Sequence, residues 1–174
     1  VGGHFYEYNG EVRNHFIRIL ESGLLDPTFN VGTGFNDQIY SIAVQPDGKI
    51  LVAGSFTTYK GQTRNRIIRL GPTGSIDNSF NIGTGFNAQV TSLILQNDGK
   101  ILVSGIFTTY QTQNLNYIAR LHTNGDLDTT FNIGEGFNGT VRDIAILPDN
   151  KIVAIGGFTS FNGNYANRIA RLHP

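Results

Sequence analysis

The sequence predicts an all-β protein assembled from copies of one small sheet, and three observations support this fold class. One pattern recurs at a step of 51 residues, with no insertion or deletion between copies. Each copy contains short runs of Ile, Val and Leu bounded by turn residues, which is typical of strands. No window of helical length shows a clean 3.6-residue apolar period, so we predict essentially no helix.

The repeat is visible in several residue types at once. The pairs Phe29-Asn30, Phe80-Asn81 and Phe131-Asn132 keep the 51-residue step, and so do Arg18, Arg69, Arg120 and Arg171. Self-similarity at a fixed period is the signature of a repeat architecture. We therefore divide the chain into a partial unit, 1–25, followed by three units, 26–76, 77–127 and 128–174.

Each unit is interpreted as a three-stranded meander. Pro27 marks a turn into a short extended segment that would form a fourth strand, and a glycine-rich loop, 32–36, follows. The aromatic residue of this loop (Phe35, with Phe86 and Phe137 in the other units) is expected to fill the core. Strands are predicted at 38–45, 50–56 and 66–70, with a tight Asp-Gly turn at 47–48 and a loop at 57–65.

The middle strand is apolar on both faces, so it needs cover on both sides. Stacking the units face to face provides that cover, and units of this length fit the blades of a β-propeller, which run from about 40 to about 50 residues. A parallel β-helix or a single β-sandwich fits the repeat less well. Three and a half units fall short of the about 4 to 8 blades of closed rings. We therefore expect further blades of the same protein, or homo-oligomeric copies, to complete the ring. The absence of Met indicates a processed form or an excerpt of a longer protein.

The combined motif resembles the delta-60 repeat. It consists of Leu-Asp-x-Thr-Phe-Asn-x-Gly-x-Gly-Phe-Asn, then Asp-Gly-Lys-Ile-Leu-Val-x-Gly-x-Phe-Thr, then Arg-Ile-x-Arg-Leu, and residues 127–138 are the nearest copy of its first part. The resemblance covers the whole chain. It implies a β-propeller in secreted or surface proteins of bacteria, or in structural proteins of bacterial viruses, and it supplies no catalytic residues.

Composition narrows the function further. Lys plus Arg and Asp plus Glu number 13 each, and charged residues make up only 15% of the chain, which argues against a nucleic-acid partner. There is no Cys, so disulfides and thiolate metal sites are excluded. No apolar stretch is long enough for a membrane span. We expect no metal and no cofactor, and a surface rich in Asn, Thr, Gln and Gly suits an extracellular, cell-surface or virion setting.

Two recurring polar positions call for structural explanations. The repeated arginines lie inside apolar strands, where a buried charge must be paired. Asp26, Asp77 and Asp128, or else Asp47, Asp98 and Asp149, supply a carboxylate in every full unit. We therefore predict structural ion pairs, or bonds to backbone carbonyls, within or between blades. The second position is occupied by Asn14, Asn65, Asn116 and Asn167, whose side chains we expect to bond their own backbone before a strand.

The loop between the second and third strands differs from copy to copy and is the candidate contact surface. Rigid scaffolds tend to carry function on such loops, but drift in solvated loops is the simpler explanation of the variation. Aromatic and amide side chains here would suit a glycan or protein ligand through stacking and hydrogen bonds. The candidate residues are Tyr59, Gln62, Arg64, Tyr110, Gln113, Asn114, Phe161, Asn162 and Tyr165.

Other motifs carry less weight. The recurring Gly-x-Gly-Phe-Asn is followed by a strand, whereas a nucleotide fingerprint needs a helix there. Asn138-Gly139-Thr140 is a formal glycosylation sequon.

The leading hypothesis is a non-enzymatic structural or interaction propeller that binds a protein partner in a virion fibre or a secreted surface assembly. The alternatives are a carbohydrate-binding module that uses the variable loops and a propeller glycan hydrolase or lyase, which would need converging carboxylates.

Overall fold

The computed structural model describes residues 1–173, and every regular element within them is a β-strand. Pro174, the last residue of the fourth predicted unit, lies outside this range. Three three-stranded antiparallel sheets alternate with four two-stranded hairpins. The all-β prediction is confirmed, and no helix within these residues could cross a membrane.

The strands follow the repeat. In chain order they are β1 (Glu7–Tyr8), β2 (Glu11–Val12), β3 (Ile39–Val44), β4 (Ile50–Gly54), β5 (Thr58–Tyr59), β6 (Gln62–Thr63), β7 (Ile67–Leu70), β8 (Val90–Leu95), β9 (Ile101–Gly105), β10 (Thr109–Tyr110), β11 (Gln113–Asn114), β12 (Ile118–Leu121), β13 (Val141–Ile146), β14 (Ile152–Gly156), β15 (Ser160–Phe161), β16 (Asn164–Tyr165) and β17 (Ile169–Leu172). The three sheets, which we call blades 1 to 3, are β3-β4-β7, β8-β9-β12 and β13-β14-β17.

Each blade is a meander whose middle strand pairs with both neighbours. The first strand of every blade carries a β-bulge at the same place, between Ile39 and Ser41 in blade 1. A bulge leaves one extra residue unpaired and increases the local twist. The unpaired residues are Tyr40, Thr91 and Arg142, which keep the 51-residue step. The repeat therefore fixes the irregularities of the strands as well as their order.

The predicted strands are one or two residues too long at their ends. More importantly, the predicted loop at 57–65 contains the hairpin β5–β6, in which Thr58 pairs with Thr63 and Tyr59 with Gln62. The prediction missed it because each arm is only two residues long and carries no apolar alternation. Lys60 and Gly61 both have positive φ, as a two-residue hairpin turn requires.

The fourth strand expected in the segment after Pro27 is not formed, because residues 26–34 contain no strand. The nearest pairing is a single bridge just before this segment. Leu70 pairs with Ile76 across the turn that leads into the next unit, and Ile19–Leu25 and Leu121–Leu127 repeat this bridge. The segment then turns at Asp77 to Phe80, because the Asp77 side chain accepts the Ser79 amide. An Asp side chain that binds the backbone two residues on favours a turn over an extended ladder.

The hydrophobic core lies at the junctions between units. One cluster joins the partial unit to blade 1 through Phe16, Phe29 and Val52. A second joins blade 1 to blade 2, and a third joins blade 2 to blade 3. Phe35, Phe86 and Phe137 are at most 3% exposed, so their predicted place in the core is confirmed.

Polar bonds reinforce these junctions along the first strands. The Ser41 hydroxyl accepts the Leu93 amide at 3.1 Å, and the Thr91 hydroxyl donates to the Val141 carbonyl at 3.1 Å. First strands of neighbouring blades therefore lie directly beside one another. The units cover one another's apolar faces, as the sequence indicated.

Candidate functional site

The variable hairpins expose only part of the candidate contact surface. Tyr59 and Tyr110 are 0% exposed, and their hydroxyls donate to the Gly74 and Gly125 carbonyls at 2.8 and 2.6 Å. Burial raises the pKa of both phenols. The expectation that these two rings are available for stacking on a ligand is therefore wrong. They fill the junction because each ring lies 4.3 to 4.5 Å from the neighbouring Phe of the glycine-rich loop.

The second arm of each hairpin carries the exposed side chains. Gln62, Gln113 and Asn114 are exposed, and Tyr165 is 84% exposed. Asn162, which lies in the turn between β15 and β16, is exposed as well. We call the second arms β2, β6, β11 and β16 the presenting strands. Their sequences, Glu-Val, Gln-Thr, Gln-Asn and Asn-Tyr, differ in every copy. In blades 1 and 2 the first arm thus ends in a buried Tyr and the second arm is exposed, whereas the first arm in blade 3 is half-buried.

Two further candidates are only partly available. Arg64 is half-buried and donates to the Thr63 carbonyl and, at 3.3 Å, to Asn78. Phe161 is half-buried, with its ring centroid 4.8 Å from that of Phe137. Both side chains are engaged in holding the hairpins to the units, so they contribute less to the exposed surface than Tyr165 does.

A recurring Asn that the sequence did not single out fixes the hairpin of each of the three blades. The Asn36 side-chain oxygen accepts the Thr57 and Thr58 amides at 2.8 Å, and its amide group donates to the Thr57 hydroxyl at 2.9 Å. Asn87 and Asn138 repeat all three bonds. The signal was the recurrence of Asn directly after the buried Phe. The sequon at Asn138 consequently has its side-chain amide committed to the fold.

The repeated arginines form one interaction, which we call the clamp, at each junction. The Nε atoms of Arg18, Arg69 and Arg120 lie 2.7 to 2.8 Å from Asp26, Asp77 and Asp128. Each guanidinium also lies over the ring of Phe29, Phe80 or Phe131, at 4.5 to 4.8 Å. Arg18 and Arg69 donate onward to the carbonyls of Pro72 and Thr123 in the following unit. The predicted structural ion pairs are confirmed, with the first of the two proposed Asp sets as partner.

A lysine from the preceding turn completes the clamp. Lys49 lies 3.2 Å from Asp77, and Lys100 lies 3.1 Å from Asp128. Burial alone would raise the pKa of Asp128. Hydrogen bonds from the Thr130 hydroxyl, Lys100, Arg120 and the Thr130 amide outweigh burial and hold this pKa well below its usual range. Asp77 behaves in the same way, with Ser79, Lys49 and Arg69 as donors.

The repeated asparagines have a different partner from the one expected. Asn14 and Asn65 donate to the Thr33 and Thr84 carbonyls at 2.8 and 2.7 Å, and Asn116 donates to the Glu135 carbonyl. Each bond therefore reaches the glycine-rich loop of the next unit, and the prediction that they bond their own backbone is wrong. In the last unit the counterparts Asn167 and Arg171 are exposed.

The phenol bonds can be tested directly. We expect Tyr59→Phe to lower the free energy of unfolding by about 1 kcal/mol, because the Gly74 carbonyl loses its buried donor. Urea unfolding followed by circular dichroism measures the change. Tyr165→Phe is the matched control, since that ring is exposed and should change stability by less than about 0.5 kcal/mol. Equal effects at the two positions would contradict the role assigned to Tyr59.

Comparison with known proteins agrees with the architecture. A family model described as a domain of unknown function (DUF5122) beta-propeller matches residues 1–29, 45–80, 96–131 and 147–174, which is more than half of the chain. No curated protein matches the sequence. The four matched segments keep the 51-residue step, so the family model recognises the same repeat as the sequence analysis.

Proposed function

Because the chain belongs to the DUF5122 β-propeller family, we propose that it is a non-enzymatic structural and interaction module. Stacked blades form a stiff scaffold, and the presenting strands bind a protein partner. Further units, on the same protein or on other copies, complete the ring. The resemblance to delta-60 repeats extends the proposal to an extracellular, cell-surface or virion setting, as part of a fibre or surface assembly.

One observation carries this proposal: the units have the same residues and bonds at their junctions, but different side chains on the presenting strands. The recurring charges are held in the clamps: Asp77 and Asp128 each pair with an Arg and a Lys. Carboxylates held in this way stabilise the scaffold and are not free to act as acid and base. Differences between copies instead reach solvent at Gln62, Gln113 and Tyr165. A rigid frame with variable exposed loops is a common arrangement for binding.

Capture by immobilised protein tests the proposal. The wild-type chain and the variant Gln62→Ser/Gln113→Ser/Tyr165→Ser are exposed to the extracellular fraction of the source culture, and bound proteins are identified by mass spectrometry. We expect a specific partner to be lost with the variant. Pro46→Ser/Asn97→Ser changes exposed turns at the opposite end of the blade strands and should retain the partner. Equal capture by all three proteins would contradict a binding role for the presenting strands.

Carbohydrate is the second candidate ligand, and Tyr165 favours it. Its ring is 84% exposed and lies next to the exposed Asn164, which provides a stacking face beside an amide. Tyr59 and Tyr110 are buried, so a glycan site would depend on Tyr165 and not on a row of three aromatic rings. A glycan array that shows binding lost in Tyr165→Ala would support this alternative, and an array without signal would remove it.

A further inference from the structure

One face of blade 3 is open, although the same face of the other two blades is covered. In blade 1 this face consists of Leu51, Ala53 and Ile67, which are 0% exposed, and Arg69, which is 6% exposed. The counterparts in blade 3 form what we call the open face, and they are Val153, Ile155, Ile169 and Arg171. Ile155 is 44% exposed and Ile169 is 61% exposed. The same apolar pattern is therefore covered twice in this chain and left open once.

The internal junctions show what covers this face. The glycine-rich part of the following unit, which we call the covering segment, lies between two blades, at 26–35, 77–86 and 128–137. Between blades 1 and 2 its Phe80, Ile82 and Phe86 share one core cluster with Leu51 and Ile67. Its Asp pairs with the Arg of the covered face, and its Phe lies under that guanidinium. The covering segment therefore makes both apolar contacts and an ion pair with the face that it covers.

The open face retains the charged half of that arrangement. Arg171 is exposed, and no carboxylate among residues 1–173 lies within ion-pair distance of it. Lys151 occupies the position of Lys49 and Lys100, which approach Asp77 and Asp128 across their junctions. The face therefore presents Arg171 and Lys151 beside two exposed isoleucines. Lys151 is already paired with Asp149, as Lys49 and Lys100 are with Asp47 and Asp98 in the covered junctions. A ligand that fits it carries one carboxylate and, three residues later, one aromatic ring.

We propose that the open face binds the covering segment of one further unit of this same repeat. The inference rests on the proposed interaction role, and it adds which surface is used and what recognises it. The partner places Asp against Arg171 and Lys151, and Phe over the Arg171 guanidinium. All three covering segments of this chain are already held between their own units. The binding unit is therefore one outside residues 1–173.

A labelled peptide with the sequence of residues 124–138 is the probe. It contains the covering segment with Asp128 and Phe131, and its binding to the intact chain is followed by fluorescence anisotropy. We expect saturable binding that weakens by about tenfold or more for Arg171→Gln, because a charge-assisted hydrogen bond is lost. A peptide carrying Asp128→Asn should lose a similar factor. Arg13→Gln removes the same charge in the partial unit, where Arg13 pairs only with Glu11 among the described residues, and should leave affinity unchanged.

The outcomes separate clearly. Arg171 is exposed, so its variant is expected to fold, and circular dichroism with thermal melting checks this. Ile169→Ser provides a second variant that removes apolar surface without changing charge. Absence of saturable binding, or equal binding by wild type and Arg171→Gln, would overturn the proposal. Sedimentation velocity tests whether the intact chain associates head to tail through the open face. Self-association that is lost in Ile169→Ser would overturn the proposal, because the face would then bind a second copy of the chain. None of these results depends on the presenting strands, so capture by the hairpins is tested separately.

Discussion

Asp128→Asn is expected to lower the free energy of unfolding by about 3–5 kcal/mol, because it leaves buried cations uncompensated. The Asp128 side chain is 0% exposed and accepts bonds from Arg120 at 2.7 Å and from Lys100 at 3.1 Å. It also accepts both the amide and the hydroxyl of Thr130. The neutral amide of Asn would direct N–H groups or a weaker acceptor at these donors. Urea unfolding followed by circular dichroism measures the loss.

The chain offers a matched control for this prediction. Asp98 belongs to the same turn system, but its side chain is 56% exposed and lies 3.8 Å from Lys100. Asp98→Asn should change stability by less than about 0.5 kcal/mol. Asp26→Asn should have a smaller effect than Asp128→Asn, because Asp26 is 12% exposed and pairs with Arg18 alone among the described residues. Equal losses at Asp98 and Asp128 would contradict the importance assigned to the clamp.

The clamps also predict an acid transition. The folded-state pKa values of Asp77 and Asp128 are depressed, so their contribution to stability is fully present above the unfolded-state pKa of about 3.9. That contribution is lost as the pH falls from this value towards the folded-state pKa. The thermal midpoint of the wild type should therefore drop as the pH falls below about 4. Asp128→Asn should show a shallower drop over the same range, and an identical slope would argue against the assigned charges.

The order and spacing of the blade strands could be predicted because apolar runs and turn residues repeat together. Leu51 and Val52 point to opposite faces of β4 and are both 0% exposed, so a middle strand that needs cover on both sides was readable from composition alone. The Arg–Asp pairing was also predictable, since a charge inside an apolar strand must find a partner nearby. What could not be derived was which of two recurring Asp sets provides it.

The hairpins and the asparagine bonds were beyond sequence reasoning for a physical reason. Arms of two residues do not give a detectable period, and Tyr59 has the same polar hydroxyl whether it is buried or exposed. Its burial depends on the Gly74 carbonyl, which lies in the turn to the next unit. Asn65 likewise bonds the Thr84 carbonyl, 19 residues away in the following unit. Local rules for Asn describe bonds within a turn and do not anticipate bonds across a junction.

Gly105→Ala is the other substitution with a large expected effect, because the new Cβ has no room. It would lie 2.1 Å from the Gln89 carbonyl oxygen, and that backbone atom is held by accepting the Ile106 amide at 3.0 Å. We expect a loss of about 3 kcal/mol or more, or failure to fold, as measured by urea unfolding. Gly3→Ala is the control, because its nearest neighbour would be a Phe5 ring atom at 3.7 Å.

The bulge in the first strand brings the Gln89 carbonyl close to Gly105. The bulge therefore requires glycine at the facing position of the middle strand. Val90 pairs with Gly105, the register then shifts, and Ser92 pairs with Ser104. Gly54 and Gly156 stand at the same place in blades 1 and 3, where a Cβ would lie 2.1 and 2.0 Å from the carbonyls of Gln38 and Thr140. Substitution of Ala at Gly54 or Gly156 should therefore also destabilise the protein. None of the three glycines has a positive φ, so the cause is the close contact and not the backbone conformation. If Gly105→Ala melts like the wild type, the ladder is able to relax, and the bulge is then not the feature that requires glycine at the end of every middle strand.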